Sequence, residues 1–151
     1  MKHLKSIGAA IGFIVLGGAI YQALSTGEQS PILAAGKILL KDNLAAEANG
    51  IRTLFIVLYD LDSPKPMPYG AVKEVLDQDP PAGEFFDFLV TREKIQTMNP
   101  NAPLPKRLRL KVRLDRDGQG GMDQPGDLVG TLEGVSLGDS TSRIVISEVV
   151  R

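Results

Sequence analysis

The sequence predicts an all-β fold: an antiparallel β-sandwich of about seven strands behind one N-terminal membrane helix. Three features carry that prediction. Residues Ile7–Leu24 hold no charged side chain. After residue 31 the apolar residues fall in short runs broken by Gly, Pro, Asn and Asp, with no sustained helical spacing. The segment Arg107–Asp115 alternates cations with aliphatic residues, the two-residue period of a strand with one buried face.

The N-terminal run follows Lys2 and Lys5 and precedes Glu28. As a helix it spans about 27 Å, close to the hydrocarbon thickness of a bilayer of about 30 Å. The charge asymmetry orients the N-terminus to the cytoplasm and the remainder outside. Two readings stay open: a retained signal anchor, favoured by the length of the run and by Tyr21, and a signal peptide cleaved at Ala23-Leu24-Ser25. A buried core helix is the third reading, and Gly8, Gly12, Gly17 and Gly18 speak against it. Residues 1–25 are thus the anchor or signal, residues 26–35 a linker, and residues 36–151 the folded domain.

The strands follow in order. Lys37–Lys41 is a short candidate. Ile51–Asp60 is continuously apolar, as expected of a strand covered on both faces. A proline-rich loop from Asp62 leads to Tyr69–Leu76, and Asp79-Pro80-Pro81 turns the chain into Glu84–Thr91. After the loop Asn99–Pro105 comes Arg107–Asp115. Leu128–Leu137 and Ser142–Val150 close the set around Gly138-Asp139. The pattern suits a Greek-key sandwich of the immunoglobulin or cupredoxin kind. Leu54, Ile56, Leu58, Phe86, Phe88, Leu110, Val112, Ile144 and Ile146 are the expected core.

Composition narrows the chemistry. The chain of 151 residues has no cysteine, and its one histidine is His3. That removes disulfides, thiolate metal sites, covalent haem attachment and histidine-based triads from the domain. The net charge of −1 gives no global attraction for nucleic acid. Asp115, Asp117 and Asp123 lack the spacing of a calcium loop, and an Asp-Gly turn accounts for them better. Met67, Met98 and Met122 fall in loops. They are read as packing residues; a copper site built on them is the lesser reading. No cofactor is expected. The strongest polar signal is the face Arg107, Arg109, Lys111 and Arg113. It is read as a solvated sheet face balanced by neighbouring acids, with Asp60, Glu84 and Asp87 as candidates, or as a docking stripe for an acidic partner or lipid headgroups.

The order of pieces over residues 51–150 resembles a known family. Phe55-Ile-Val-Leu-Tyr59 is followed by Pro66-Met67-Pro68-Tyr69-Gly70-Ala71-Val72-Lys73, then by Phe86-Asp-Phe88, a loop containing Met98 and the basic strand. Gln124-Pro125-Gly126-Asp127-Leu128-Val129-Gly130 precedes the last two strands. This is similar to the C-terminal periplasmic domain of c-type cytochrome biogenesis proteins of the CcmI/CycH kind. Those proteins place a tetratricopeptide array between membrane and terminal domain, and only residues 25–35 separate Leu24 from Gly36 here. The resemblance therefore implies a periplasmic sandwich and a link to cytochrome c assembly, without the array's grip on apocytochrome. The expected role is non-enzymatic: a single-pass inner-membrane assembly factor, held in the membrane through residues 7–24 and meeting apocytochrome, haem-ligation machinery or another membrane complex. The alternatives are a small structural subunit of a respiratory or photosynthetic complex and a metal- or ligand-carrying sandwich.

Overall fold

A computed structural model describes residues 30–65 and 67–151. The expected membrane run, the cleavage site, His3 and Pro66 lie outside the described residues. No helix among the described residues is long and apolar enough to cross a membrane.

The described chain is nearly all β. Its strands are β1 (Ile32–Leu40), β2 (Thr53–Asp60), β3 (Pro68–Val75), β4 (Gly83–Thr91), β5 (Gln96–Thr97), β6 (Arg107–Asp115), β7 (Leu128–Ser136), β8 (Asp139–Ile146) and β9 (Glu148–Val149), with a 3-10 turn at Asp42–Leu44. Two sheets form, ordered β4-β1-β8 and β5-β3-β2-β6-β7-β9. The seven long strands match the seven runs expected from sequence, with shifted ends. The first starts at Ile32, inside the stretch read as linker; the last expected run, Ser142–Val150, is split at Ser147 into β8 and the two-residue β9, and β5 is an additional piece of two residues.

Both outer strands of the small sheet carry on into the large one. β4 turns at Thr91, where Ile95 N–H donates to Thr91 O (3.1 Å), and continues as β5 along β3. β8 passes through Ser147, whose N–H donates to Val129 O (3.1 Å), and continues as β9 along β7. Strands that switch sheets in this way form the corners of a sandwich and hold its layers together. The pairing is not wholly antiparallel. β1 runs parallel to β8, with Ile38 opposite Ile144, and the strands between them supply the long crossover that a parallel pair requires. Two glycines permit close approach. A Cβ on Gly36 would meet Ser142 O at 1.9 Å, and one on Gly130 would meet Val145 O at 2.2 Å.

Alternation sets the core. Leu108, Leu110, Val112 and Leu114 of β6 are fully buried, as are Leu54 and Leu58 of β2 and Ile144 and Ile146 of β8. Of the expected core residues, Phe86 alone is only half-buried, because β4 is an edge strand and covers one side less completely.

The domain has two ends. At the near end the chain enters β1: Pro31 O accepts from Arg92 N–H (3.0 Å), and Leu33 O accepts from Gly138 N–H (2.8 Å). Residues 61–65, Met67 and the loop 98–106 belong to this end. The far end carries the loops 76–82 and 116–127 and the C-terminus.

Candidate functional site

The basic face of β6 is built by register. β6 lies between β2 and β7, so its outward cations face outward residues on both neighbours. Phe55 stands opposite Arg113, Val57 opposite Lys111 and Tyr59 opposite Arg109. The aromatic faces are occupied accordingly. The Arg113 guanidinium lies 5.0 Å from the Phe55 ring centre, with Lys73 Nζ at 5.8 Å, and Arg109 lies 5.9 Å from the Tyr59 ring centre. This explains why β2 is covered on both faces: the second covering is cationic, not aliphatic.

Each cation also has a carboxylate. Arg107 Nη2 donates to Asp62 Oδ1 (2.6 Å). Arg109 Nε lies 2.8 Å from Glu133 Oε1, and Lys111 Nζ lies 2.5 Å from Asp123 Oδ2. Arg113 is buried, its side chain only 6% exposed, and sits among three acids. Asp115 Oδ2 lies at 2.9 Å, Asp123 Oδ1 at 3.1 Å and Asp127 Oδ2 at 3.9 Å. Arg113 Nη1 also donates to Gly121 O (2.9 Å), so the guanidinium fixes the loop 116–127 as well as its own strand.

That loop is shaped by the same acids. Asp127, buried, accepts from Arg116 N–H (3.0 Å) and Gln124 N–H (2.8 Å). Asp127 N–H closes a turn onto Gln124 O (3.0 Å), with Pro125 and Gly126 at its centre and Gly126 at φ +93°. This is the type II geometry that Pro-Gly favours. Asp115 accepts from Gly118 N–H (2.7 Å). Burial, and secondarily its hydrogen bond with Asp117, raises the Asp115 carboxyl above the usual range. Burial also pushes Asp123 upward, but hydrogen bonds from Lys111 and Arg113 outweigh it and leave Asp123 below that range. The cation at the centre of these acids is Arg113 itself. Among the described residues no group of three or more acids or histidines has the geometry of a metal site. Met67 and Met98 belong to the near end and Met122 to the far end, so the three thioethers are not brought together.

The acids that balance the stripe are therefore not those expected. Glu84 and Asp87 lie on the other sheet, where Glu84 pairs with Lys37 (3.2 Å) and with Arg143, and Asp87 pairs with Lys37 (3.4 Å). Asp60 accepts from the Asp62 N–H (2.9 Å) and closes the loop after β2. Of the four proposed docking residues, Arg107 is the most exposed, Arg109 and Lys111 are half-covered, and Arg113 is committed to the interior. The stripe does not present four unengaged cations.

A second region was not singled out from sequence. Among the described residues β4 pairs only with β1, leaving its outer edge without a strand. On the facing edge of the large sheet, β5 covers only Gly70 and Ala71 of β3. Where the chain passes from β3 to β4, a groove of about 400 Å³ opens, its apolar side formed by Val75, Leu76, Pro80, Pro81, Phe85 and Phe86 and its polar side by Asp77, Gln78 and Asp79. Val75 is 73% exposed, and Leu89 further along β4 is 47% exposed. The signal available in the sequence was the aromatic run Glu84-Phe-Phe-Asp-Phe88, separated by two residues from the pair Pro80-Pro81. No family model, curated protein or solved structure matches the chain.

Proposed function

We propose that the chain is a non-enzymatic factor anchored in the bacterial inner membrane through residues 7–24, with its domain in the periplasm, and that the domain holds an extended polypeptide along the open edge of β4. The supporting observation is that edge. Alternate N–H and C=O groups of a strand with one neighbour point outward, and an added strand can satisfy them. The adjoining groove offers Val75, Phe85 and Phe86 to the side chains of such a strand. In this reading the domain is a Greek-key sandwich of the immunoglobulin or cupredoxin kind. The resemblance to cytochrome c biogenesis proteins names the partner class, a c-type cytochrome still unfolded and without haem.

The test is titration of the full chain in detergent with a labelled, haem-free c-type cytochrome, read by fluorescence anisotropy and by amide exchange. Binding should slow exchange along Glu84–Val90. Val75→Glu replaces an apolar contact with a third carboxylate beside Asp77 and Asp79 and should weaken binding at least tenfold, while Met122→Glu should not. Equal affinity of the two variants, or absence of binding to the wild type, overturns the proposal.

A further inference from the structure

The geometry points to the near end of the domain as a surface that rests on the lipid bilayer, with the groove and the loop 116–127 turned away from it. This inference rests on the reading of Ile7–Leu24 as a retained anchor, and it adds an orientation that the anchor alone does not give.

The first support is the length of chain between the anchor and the domain. Ser25–Gln29 separates Leu24 from Ser30, and five residues span at most about 18 Å when fully extended. Ser30 is itself held at the near end, where its Oγ accepts from Glu93 N–H (3.0 Å). The tether therefore keeps this end within reach of the headgroups.

The second support is what the near end exposes. Ile32 is 45% exposed, Met67 56%, Met98 63% and Leu104 37%, whereas at the far end the exposed large apolar side chains among the described residues are Met122 in the loop 116–127 and Val75 beside the groove. They surround the point where the chain enters. Ile32 pairs with Thr91; the next residue, Arg92, donates to Tyr69 Oη (3.3 Å), and Tyr69 O accepts from Met98 N–H (3.0 Å). Lys106, two residues after Leu104, is tied to the same end because its O accepts from Leu137 N–H (3.1 Å).

The third support is charge. At the near end, residues 60–65, 67, 92–107 and 137–139 hold the cations Lys65, Arg92, Lys94, Lys106 and Arg107 against the acids Asp60, Asp62, Glu93 and Asp139, a slight positive balance, and the loop 98–106 beside the exposed methionines holds Lys106 and no acid. At the far end, residues 41–52, 76–82, 116–127 and 147–151 hold the acids Asp42, Glu47, Asp77, Asp79, Asp117, Asp123, Asp127 and Glu148 against the cations Lys41, Arg52, Arg116 and Arg151, an acidic balance. An anionic bilayer attracts exposed lysines within a Debye length and repels acidic loops. Thioether and aliphatic side chains beside lysines suit the boundary between headgroups and acyl chains.

The chain has no cysteine, so Met98→Cys and Met122→Cys each create one labelling position, at an exposed side chain in both cases. The full-length variants carry an environment-sensitive fluorophore and are reconstituted into phosphatidylcholine–phosphatidylglycerol vesicles that contain lipid with a nitroxide headgroup. The label at Met98 should be quenched by the nitroxide lipid at least threefold more than the label at Met122, and aqueous iodide should show the reverse order. Equal quenching of the two labels in chains that float with the vesicles overturns the orientation and leaves the anchor standing. A Met98 label shielded from both quenchers marks a protein contact there and also overturns it. Chains that fail to float overturn the anchor, and the orientation with it.

Discussion

β6 and β4 are strands of equal length with opposite situations. β6 has a neighbour on each side, and every outward cation on it meets a carboxylate, Arg109 and Arg113 an aromatic ring as well. Among the described residues β4 has one neighbour, and its aromatic run borders a groove. In sequence β6 is the conspicuous strand and β4 the plain one. The contrast teaches that a row of charges marks a site only when its partners are absent from the fold, whereas an open edge is a property of the sheet order and leaves little trace in the strand's own residues.

The largest effect expected from this contrast is on Arg113. Arg113→Met leaves Asp115 and Asp127 buried without their cation and should cost about 3–5 kcal/mol of unfolding free energy, measured by urea denaturation of the full chain in detergent. A loss under about 1 kcal/mol would move Arg113 out of the structural role assigned to it. On β4 the inward Phe88, 3% exposed, should behave like any core aromatic, and Phe88→Ala should cost about 3–5 kcal/mol. Leu89→Ser on the outer side of the same strand should stay within about 0.5 kcal/mol, which separates the buried face of β4 from its exposed one.

A smaller and pH-dependent effect belongs to Asp123. Its folded-state value lies below the ordinary carboxylate value, so its ion pairs stabilise the protein above that value and are lost as pH falls through the folded one. Asp123→Asn should flatten the acid side of the stability profile measured from about pH 5 downward. Asp115 has the opposite sign: its value is raised, so its contribution is present at low pH and fades as pH climbs from the ordinary carboxylate value through the raised one. A profile for Asp123→Asn that falls on acidification as steeply as the wild type would remove Asp123 from the network. Smallest of all, Arg109→Ala breaks a pair whose side chains are both substantially exposed and should cost no more than about 1 kcal/mol.

Much of the fold was legible because period-two alternation is a local property. β6 was read with its ends correct and its inward residues are buried, but the outward Arg113 and Asp115 are buried too, which alternation does not foretell. The start of β1 was not legible. Ile-Leu-Ala-Ala-Gly has small side chains and no alternation, and it becomes a strand through β4 and β8, which lie far along the chain. β5 and β9 are defined only by their partners. The cations of the stripe could be read directly, but Asp62, Glu133 and Asp127 reach them through loops and register. The groove was not legible because its residues, all within Val75–Phe86, enclose a space only once the connection from β3 to β4 crosses from one sheet to the other.

The parallel pairing of β1 with β8 has a consequence for how the protein is made. β1 is the central strand of its sheet, yet Ile38 cannot meet Ile144 until nearly all of the intervening chain has left the ribosome. A growing chain therefore carries β1 unpaired on one side until β8 has been made, with a strand edge open to the wrong neighbour. Closing contacts this distant in sequence is slow, on the scale of milliseconds to seconds for β-rich domains. The arrival of β8 beside β1 completes the small sheet, and the continuation of β8 into β9 along β7 closes the corner that joins the two sheets.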